Sequence, residues 1–333
     1  ANEPNHNDML LRTSIFVALS SVLDGFVLVH HTRRLSFPPV KDSLYDGEDL
    51  SAKAYDVPGG YCKRSETSTC AFGRFAGKVA VVTGAAGNFG EACAERLARE
   101  GASVALLDVR SADALRDRLA STYPDQRFTA HQVDVTDAAA VDETVKDVET
   151  TFKRIDYLAN NAGYQGDFTP AIDYSVKDWA KVMEVNVNGM FHVLRAVAAV
   201  MKNAGGVIVQ TASMAAHSAP PNMAAYASSK AAVLHMTKAC AKDLSRFNIR
   251  VNSVSPAFIG PGVLWTRQIE LQAKAGSIYY DPNPDVVATQ MIDATPLRRY
   301  GSLDEVIGPI LFLFSDDASY LTGVDIQITG GIN

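Results

Sequence analysis

Cysteine is scarce in this sequence, which has four among 333 residues. None of them belongs to a Cys-x-x-Cys pair, and no group of cysteine and histidine has the spacing of a zinc site. We therefore expect no metal ion in the mechanism. Cys62 and Cys70 stand close enough along the chain to form a disulfide, but free thiols are the default expectation.

An excess of positive charge is also lacking, because 31 basic residues face 37 acidic ones and give a formal net charge of −6. Proteins that bind nucleic acid usually carry a basic footprint that neutralises phosphates. The hydrophobic fraction of 47% and the charged fraction of 20% are ordinary for a globular chain. The sequence therefore predicts a globular protein with no nucleic-acid partner.

Long apolar runs are few, and one of them, over 10–31, lies near the start of the chain. It approaches the roughly 20 residues that a membrane-spanning helix needs, but Arg12 and Asp24 interrupt it. Three interpretations stay open: a spanning helix, a helix that lies on a membrane or a partner, and an uncleaved targeting sequence. We favour docking onto a membrane or a partner. A first residue other than Met fits a processed precursor, which predicts a mitochondrial protein, with the cytoplasm as the alternative.

The pattern of the chain changes near residue 75. The first part shows no alternation of strands and helices, so we expect an N-terminal extension over 1–75. From 76 to 333, short apolar runs alternate with helical periodicity, which predicts a single α/β domain with a doubly wound parallel sheet of about seven strands. The runs are KVAVVTG, ASVALLDV, RFTAHQVDV, DYLANNAG, GGVIVQTAS, IRVNSVSP and VDIQITGG, and helices are predicted over 88–100, 137–152, 175–201, 226–247 and 302–314.

A turn of small residues joins the first of these strands to a helix, in the stretch VAVVTGAAGNFGEACAERLAREG. Gly84, Gly87 and Gly90 leave room for a dinucleotide to approach the backbone, and the helix N-terminus faces its phosphates. Asn88 and Phe89 lie in the same turn. Because the glycines stand between a strand and a helix, they predict a Rossmann-type dinucleotide site.

The second strand ends in Asp108, eighteen residues after Gly90. A carboxylate at this point can accept hydrogen bonds from both ribose hydroxyls of NAD and would repel the 2′-phosphate of NADP. Arg110 follows closely and would weaken that preference. The alternative for Asp108 is a helix cap or a turn residue. We expect NAD, with NADP the less favoured cofactor.

Tyr226 and Lys230 lie one helical turn apart in AAYASSKAAV, among small residues. Positions i and i+4 share a face of a helix, so both polar ends can reach one small volume. A free phenol has a pKa of about 10, and a nearby cation lowers it. The pair is therefore a candidate acid/base couple. Taken alone, this common spacing favours the simpler alternative, a half-exposed helix face.

From Gly77 to the C-terminus, the sequence resembles the classical short-chain dehydrogenases/reductases. The family turn T-G-x-x-x-G-x-G corresponds to Thr83, Gly84 and Gly90, with Asn88 in place of the middle glycine. The acidic residue after the third strand matches Asp134, which the resemblance assigns to the adenine. The remaining cofactor contacts that the resemblance implies are Val135 and, in the N-N-A-G motif, Asn161, Ala162 and Gly163.

The catalytic tetrad of that family maps onto Asn186, Ser213, Tyr226 and Lys230. The resemblance implies an oxidoreductase that interconverts a secondary alcohol and a ketone by hydride transfer. Tyr226 would exchange the hydroxyl proton, Lys230 would lower the pKa of Tyr226 and bind the nicotinamide ribose, and Ser213 would hold the substrate oxygen. Asn186 would hold a water molecule that relays the proton.

A narrower likeness, to the NAD-dependent xylitol dehydrogenases of the family, lies in NNAGYQGDFTPAIDY, TASMAAHSAPPNMAAY, GPGVLWTRQIELQAKAGSIYYDP and PLRRYG. It implies a polyol substrate such as xylitol and a substrate lid over 258–300. A polyol needs several hydrogen-bonding partners, so we expect Gln165, His217, Asn222 and Trp265 near the substrate. Packing of the lid is an equal alternative for Trp265.

Two other functions stay open. The same tetrad serves carbonyl reductases of 3-oxoacyl or steroid-like substrates. Alternatively, the chain is an accessory subunit of a mitochondrial membrane complex, docked through 1–75, that keeps the dehydrogenase fold as a scaffold. In either case the resemblance implies a homo-oligomer paired through the helices at 175–201 and 226–247, whose apolar residues lie on more than one face.

Overall fold

Seven parallel strands form one sheet in residues 73–332, the part of the chain that this computed structural model describes. Their bounds are β1 Val79–Thr83, β2 Ser103–Asp108, β3 Phe128–Gln132, β4 Tyr157–Asn160, β5 Gly206–Thr211, β6 Ile249–Pro256 and β7 Asp325–Ile328. The apolar segment 10–31, the Cys62–Cys70 pair and almost all of the extension 1–75 lie outside the described residues.

The strand order is β3-β2-β1-β4-β5-β6-β7. The chain winds outward in one direction from β1 to β3, returns to β4 beside β1, and continues in the other direction. In register, Val81 of β1 pairs with Ala105 on one side and with Leu158 on the other. The predicted doubly wound α/β sheet is therefore confirmed. Its order reverses between β1 and β4, where such sheets form a crevice at the carboxyl ends of the strands.

Ten α-helices connect and cover the strands in the described residues. They are α1 Asn88–Arg99, α2 Asp113–Thr122, α3 Ala138–Phe152, α4 Val176–Met183, α5 Met190–Met201, α6 Ala215–Ser218, α7 Ala224–Leu244, α8 Val263–Lys274, α9 Pro284–Ala294 and α10 Leu303–Phe314. The pattern predicted over 175–201 is α4 and α5 joined by a π-helical segment, Glu184–Gly189. The helices that periodicity did not predict are α2, the short α6, and α8 and α9 of the lid.

Two apolar layers hold the helices against the sheet. Leu97 of α1 and Ile310 of α10 pack with Val82 of β1 on one face. Val145 of α3 and Val197 of α5 pack on the other face, where Val81 points. Because successive strand residues point to opposite faces and both faces are covered, every residue of β1 is buried. Burying one such side chain contributes about 1.5–3 kcal/mol.

The start of α1 differs from the start of α3. Asp137 caps α3 by accepting the N–H groups of Ala139 and Ala140, both at 3.0 Å. Helix α1 begins after Gly87 and has no side-chain cap. Its first N–H groups therefore keep their capacity to bind an anion.

Within residues 73–332, no helix combines the length and the apolar character that crossing a membrane requires.

Candidate active site

A cleft of about 930 Å³ runs along the carboxyl edge of the sheet. One wall is the turn after β1 together with the ends of β2 and β3. The other wall is formed by residues after β4, β5 and β6 and by the lid helix α8. The predicted residues that line it are Gly84, Gly87, Asn88, Phe89, Asp108, Asp134, Val135, Asn161, Ala162, Gly163, Gln165, Ser213, Tyr226 and Lys230. The fold thus brings most of the predicted residues to one cleft.

The turn after β1 depends on two of its glycines. Gly84 has a φ of +65°, and a Cβ there would lie 3.1 Å from the Cα of Ala162. A Cβ on Gly90 would lie 2.2 Å from the carbonyl oxygen of Gly84, so α1 packs directly on the turn. At Gly87 a Cβ would meet the same oxygen at 3.4 Å, an ordinary contact. The open turn and the uncapped start of α1 fit the pyrophosphate of a dinucleotide.

Asp108 is nearly buried beside this turn. Its Oδ2 accepts the N–H of Ala86 at 2.9 Å, and its Oδ1 accepts the N–H of Arg110 at 2.9 Å. The guanidinium of Arg110 lies 3.5 Å from Oδ1 and donates to the carbonyl of Ala86 at 2.7 Å. Asp108 therefore fixes the turn, and each carboxylate oxygen keeps a lone pair that a ribose hydroxyl can use.

The N-N-A-G stretch is locked to β1 through Thr83. The hydroxyl of Thr83 accepts the N–H groups of Asn161 at 2.8 Å and Ala162 at 2.9 Å, and donates to Oδ1 of Asn160 at 3.2 Å. Asn160 is fully buried and donates to the carbonyl of Met190. Asn160 therefore ties the sheet to α5 and does not line the cleft. Asp134, which follows β3 and lines the cleft, accepts both the N–H and the hydroxyl of Thr136.

Tyr226 and Lys230 both lie on α7 and reach the floor of the cleft. The Nζ of Lys230 donates to the carbonyl of Thr211 at 2.7 Å and lies 5.7 Å from the centre of the Tyr226 ring. Ser213 follows β5 by two residues, and its hydroxyl lies close enough to the Tyr226 phenol to act on the phenol's pKa, in the lowering direction. One hydroxyl, one phenol and one ammonium therefore meet beside the glycine turn.

Asn186 lies behind this group, in the π-helical segment between α4 and α5. It is fully buried, and its Oδ1 accepts the N–H of Tyr164 at 2.7 Å. Its Nδ2 donates to the Tyr164 carbonyl at 2.8 Å and to the Ser229 hydroxyl at 2.9 Å. Ser229 in turn donates to the backbone carbonyl of Tyr226. Such π-helical turns are frequent at functional sites, and here the turn links Tyr164 to α7.

Burial changes the acidity of both titrating groups. It lowers the pKa of Lys230 from 10.5 to about 8, so the ammonium stays protonated at neutral pH. It also raises the pKa of Tyr226, and the nearby Ser213 hydroxyl acts in the opposite direction. Lys230 donates to a backbone carbonyl and not to the phenol. The expected lowering of the Tyr226 pKa by Lys230 is therefore not seen in this structure, where burial is the largest effect on the phenol.

The four residues predicted to lie near the substrate are placed differently. Gln165 lines the cleft, whereas His217, Asn222 and Trp265 do not. Asn222 donates to Gln272 at 3.2 Å, and His217 lies 2.9 Å from a carboxylate oxygen of Asp325. The Trp265 ring packs in the lid, with its centre 5.9 Å from that of Phe258 and 5.5 Å from that of Tyr300. The packing alternative for Trp265 is the one that the structure shows.

Several lid residues that line the cleft were not singled out from the sequence. They are Val263, Leu264, Gln268 and Gln272 of α8, together with Tyr280. Gln272 is fully buried, which its sequence neighbours do not indicate. Only the similarity of the whole lid to polyol dehydrogenases pointed to this region.

Comparisons with known proteins agree with this arrangement. The family model described as Enoyl-(Acyl carrier protein) reductase matches residues 84–333. A crystal structure of NAD+-bound xylitol dehydrogenase is 49% identical with a TM-score of 0.74, and covers 77% of this chain and 99% of that one. An NAD-dependent glycerol dehydrogenase of Listeria innocua serovar 6a is 36% identical over 255 residues, 76% of this chain and 93% of the relative. The 3-oxoacyl-acyl-carrier-protein reductase FabG of Thermotoga maritima is 36% identical over 265 residues, 78% of this chain and 99% of the relative.

The chain belongs to the short-chain dehydrogenase/reductase family, as its glycine turn and tetrad predicted. It is an oxidoreductase that acts on CH–OH groups and their carbonyl counterparts. Within that family it is more similar to the xylitol dehydrogenase, at 49% identity, than to the 3-oxoacyl reductase, at 36%.

Proposed function

We propose that this protein oxidises a secondary hydroxyl of a polyol such as xylitol to the ketone, with NAD as the oxidant and Tyr226 as the base. The observation that carries the proposal is the meeting of Tyr226, Ser213 and Lys230 beside the glycine turn. The 49% identity to an NAD+-bound xylitol dehydrogenase supports the substrate class.

The turn and its neighbours supply a site for the cofactor. The pyrophosphate would lie over Gly84 and Gly87 at the start of α1, and the adenosine ribose would lie against Asp108. Asp108 carries a negative charge where NADP has its 2′-phosphate, which supports NAD. When bound, NAD supplies the acceptor for the hydride that leaves the carbinol carbon.

Tyr226 would accept the proton of the substrate hydroxyl as the phenolate, a form that burial disfavours and that the positive charges of Lys230 and of bound NAD would favour. Ser213, which lies beside the phenol, would hold the substrate oxygen and stabilise the charge that develops there. Lys230 stays charged at neutral pH and contributes a positive potential close to the ring. Asn186 and Ser229 hold the Tyr226 backbone, and Asn186 keeps a lone pair on Oδ1 for a relaying water molecule.

The experiment is a substrate panel in which NADH absorbance is followed with xylitol, sorbitol, glycerol and simple secondary alcohols. We expect reduction of NAD by polyols and little reduction of NADP. In the reverse direction, preferential reduction of a 3-oxoacyl thioester with NADPH would contradict the polyol assignment and favour the acyl reductase. NAD binding without turnover of any substrate would favour the accessory-subunit hypothesis.

We also propose that the chain forms homo-oligomers through the surface of α4, α5 and α7. Val176 is 83% exposed and Phe191 is 45% exposed, and Trp179 of α4 is exposed as well. Apolar side chains at such positions are typical of protein interfaces. Docking through 1–75, the boundary near residue 75 and a mitochondrial location stay predictions.

A further inference from the structure

The side chain of Gln165, a residue that lines the cleft, has a buried oxygen without a partner among the described residues. No hydrogen-bond donor of residues 73–332 reaches Oε1 of Gln165, although Gln165 lines the cleft. A buried acceptor without a donor costs free energy, and a ligand that brings an O–H group removes that cost. The terminal torsion of a glutamine side chain is broad, so a turn of the Gln165 amide toward the cleft would bring this acceptor to a hydroxyl of the substrate.

The loop that carries Gln165 is held by one carboxylate. Oδ1 of Asp178 accepts the phenol of Tyr164 at 2.9 Å, and Oδ2 accepts the phenol of Tyr174 at 2.8 Å and the N–H of Asp167 at 3.0 Å. These three donors flank Gln165 on both sides along the chain. Asp178 lies in the first turn of α4, so a helix and not a loop anchors the three bonds.

Further contacts restrict the two neighbours of Gln165. The N–H and the carbonyl of Tyr164 are both bonded to Asn186. Gly166 has a φ of +71°, and a Cβ there would lie 2.6 Å from Cγ2 of Val182. The backbone is therefore held at Tyr164 by the π-helical segment and at Gly166 by α4, which restricts the backbone that carries Gln165.

We propose that Asp178 is a positioning residue that holds Gln165 in the cleft, and that Oε1 of Gln165 accepts a second hydroxyl of the substrate. Together they select polyols over simple secondary alcohols. A simple alcohol has a hydroxyl for Ser213 and Tyr226 but none for Gln165, so it leaves the buried acceptor unpaired. The inference rests on the proposed function and adds the residues that discriminate between substrates.

The test is a double-mutant cycle on the ratio of kcat/KM for xylitol to kcat/KM for pentan-3-ol, with NAD. Gln165→Leu should lower this ratio roughly 10- to 100-fold, mainly by raising KM for xylitol. Asp178→Asn should lower it less. The double variant should match Gln165→Leu, because Asp178 acts through Gln165 and the two effects are not additive.

Matched controls come from the same chain. Gln126 has the other buried unpaired side-chain oxygen in the described residues, away from the cleft, and Asp173 is an exposed carboxylate in the same loop. Gln126→Leu and Asp173→Asn should leave the ratio unchanged. If Asp178→Asn does not fold, Tyr174→Phe removes one of the three bonds and should shift the ratio in the same direction.

The outcomes separate the inference from the proposed function. An unchanged ratio in Gln165→Leu, or additive effects in the double variant, would overturn the inference. The proposed function would still be supported in that case if the natural protein oxidises xylitol. A natural protein that oxidises neither alcohol would overturn both. A preference for pentan-3-ol in the natural protein would overturn the selection of polyols by Gln165.

Discussion

The substitution Gly90→Ala tests how closely α1 packs on the glycine turn. The added Cβ would lie 2.2 Å from the Gly84 carbonyl oxygen and 2.7 Å from the Cα of Ala85, and both are backbone atoms. Since Cβ atoms essentially never approach closer than 3.0 Å, the helix or the turn must move by about 1 Å. Overpacking of this kind costs about 1–3 kcal/mol, and the gain in helix propensity returns at most about 1 kcal/mol.

A net loss of about 1–2 kcal/mol lowers the Tm by roughly 2–8 °C in a domain of this size. The matched variant is Gly87→Ala, whose Cβ would meet only the Gly84 oxygen at 3.4 Å and Arg110 at 3.9 Å. It should keep the natural Tm but weaken NAD binding, because its methyl group enters the pyrophosphate path.

The assay for this pair combines thermal unfolding, followed by circular dichroism, with NAD titration by calorimetry. Gly90→Ala should lower both the Tm and the affinity for NAD. Gly87→Ala should lower only the affinity for NAD. A Gly90→Ala protein with natural Tm and natural NAD affinity would refute the described packing. Equal NAD affinity in Gly87→Ala and the natural protein would refute the position assigned to the pyrophosphate.

Two further predictions concern charged groups of the cleft. Asp108→Ser removes the negative charge beside the proposed ribose site and leaves Arg110 in place. The ratio of kcat/KM for NADP to kcat/KM for NAD should therefore rise at least about tenfold. An unchanged ratio would contradict the role of Asp108 in selecting NAD. For Lys230, the folded-state pKa of about 8 lies below the ordinary 10.5, so between these pH values the unfolded chain binds a proton that the folded chain does not. The free energy of unfolding should therefore rise with pH through this window, by about 3 kcal/mol more than in Lys230→Met. Urea unfolding at several pH values measures this difference. If the free energies of unfolding of the two proteins change with pH in parallel, the burial of the ammonium is contradicted.

The sheet could be predicted because its strands are buried on both faces. The run VAVVT of β1 is apolar throughout, apart from the terminal Thr83, and that continuity is independent of the rest of the fold. Helix α2 was missed because only Leu115 and Leu119 of its ten residues are buried, too few for a clear period. The periodicity of apolar residues is clear only where one side of a helix is well buried, and little of α2 is buried.

The tetrad could be predicted from motifs in their order along the chain, but its surroundings could not. The π-helical turn at Asn186 follows from bonds to Tyr164 and Ser229, which are distant in sequence. In the same way, Asn222 faces Gln272 and Trp265 faces Phe258 because of how the lid folds over the sheet. Side-chain direction in a lid depends on tertiary contacts, which a local pattern does not contain.

Proton exchange by Tyr226 in NAD-dependent polyol oxidation is tested most directly by the rate of NADH formation from xylitol by Tyr226→Phe. The variant loses only the phenol oxygen, so NAD affinity and Tm should stay close to those of the natural protein. The rate should fall by about 10²–10⁴-fold, the usual contribution of a general base. A rate within about threefold of the natural one, with NAD bound as before, would contradict the assignment of Tyr226 as the base.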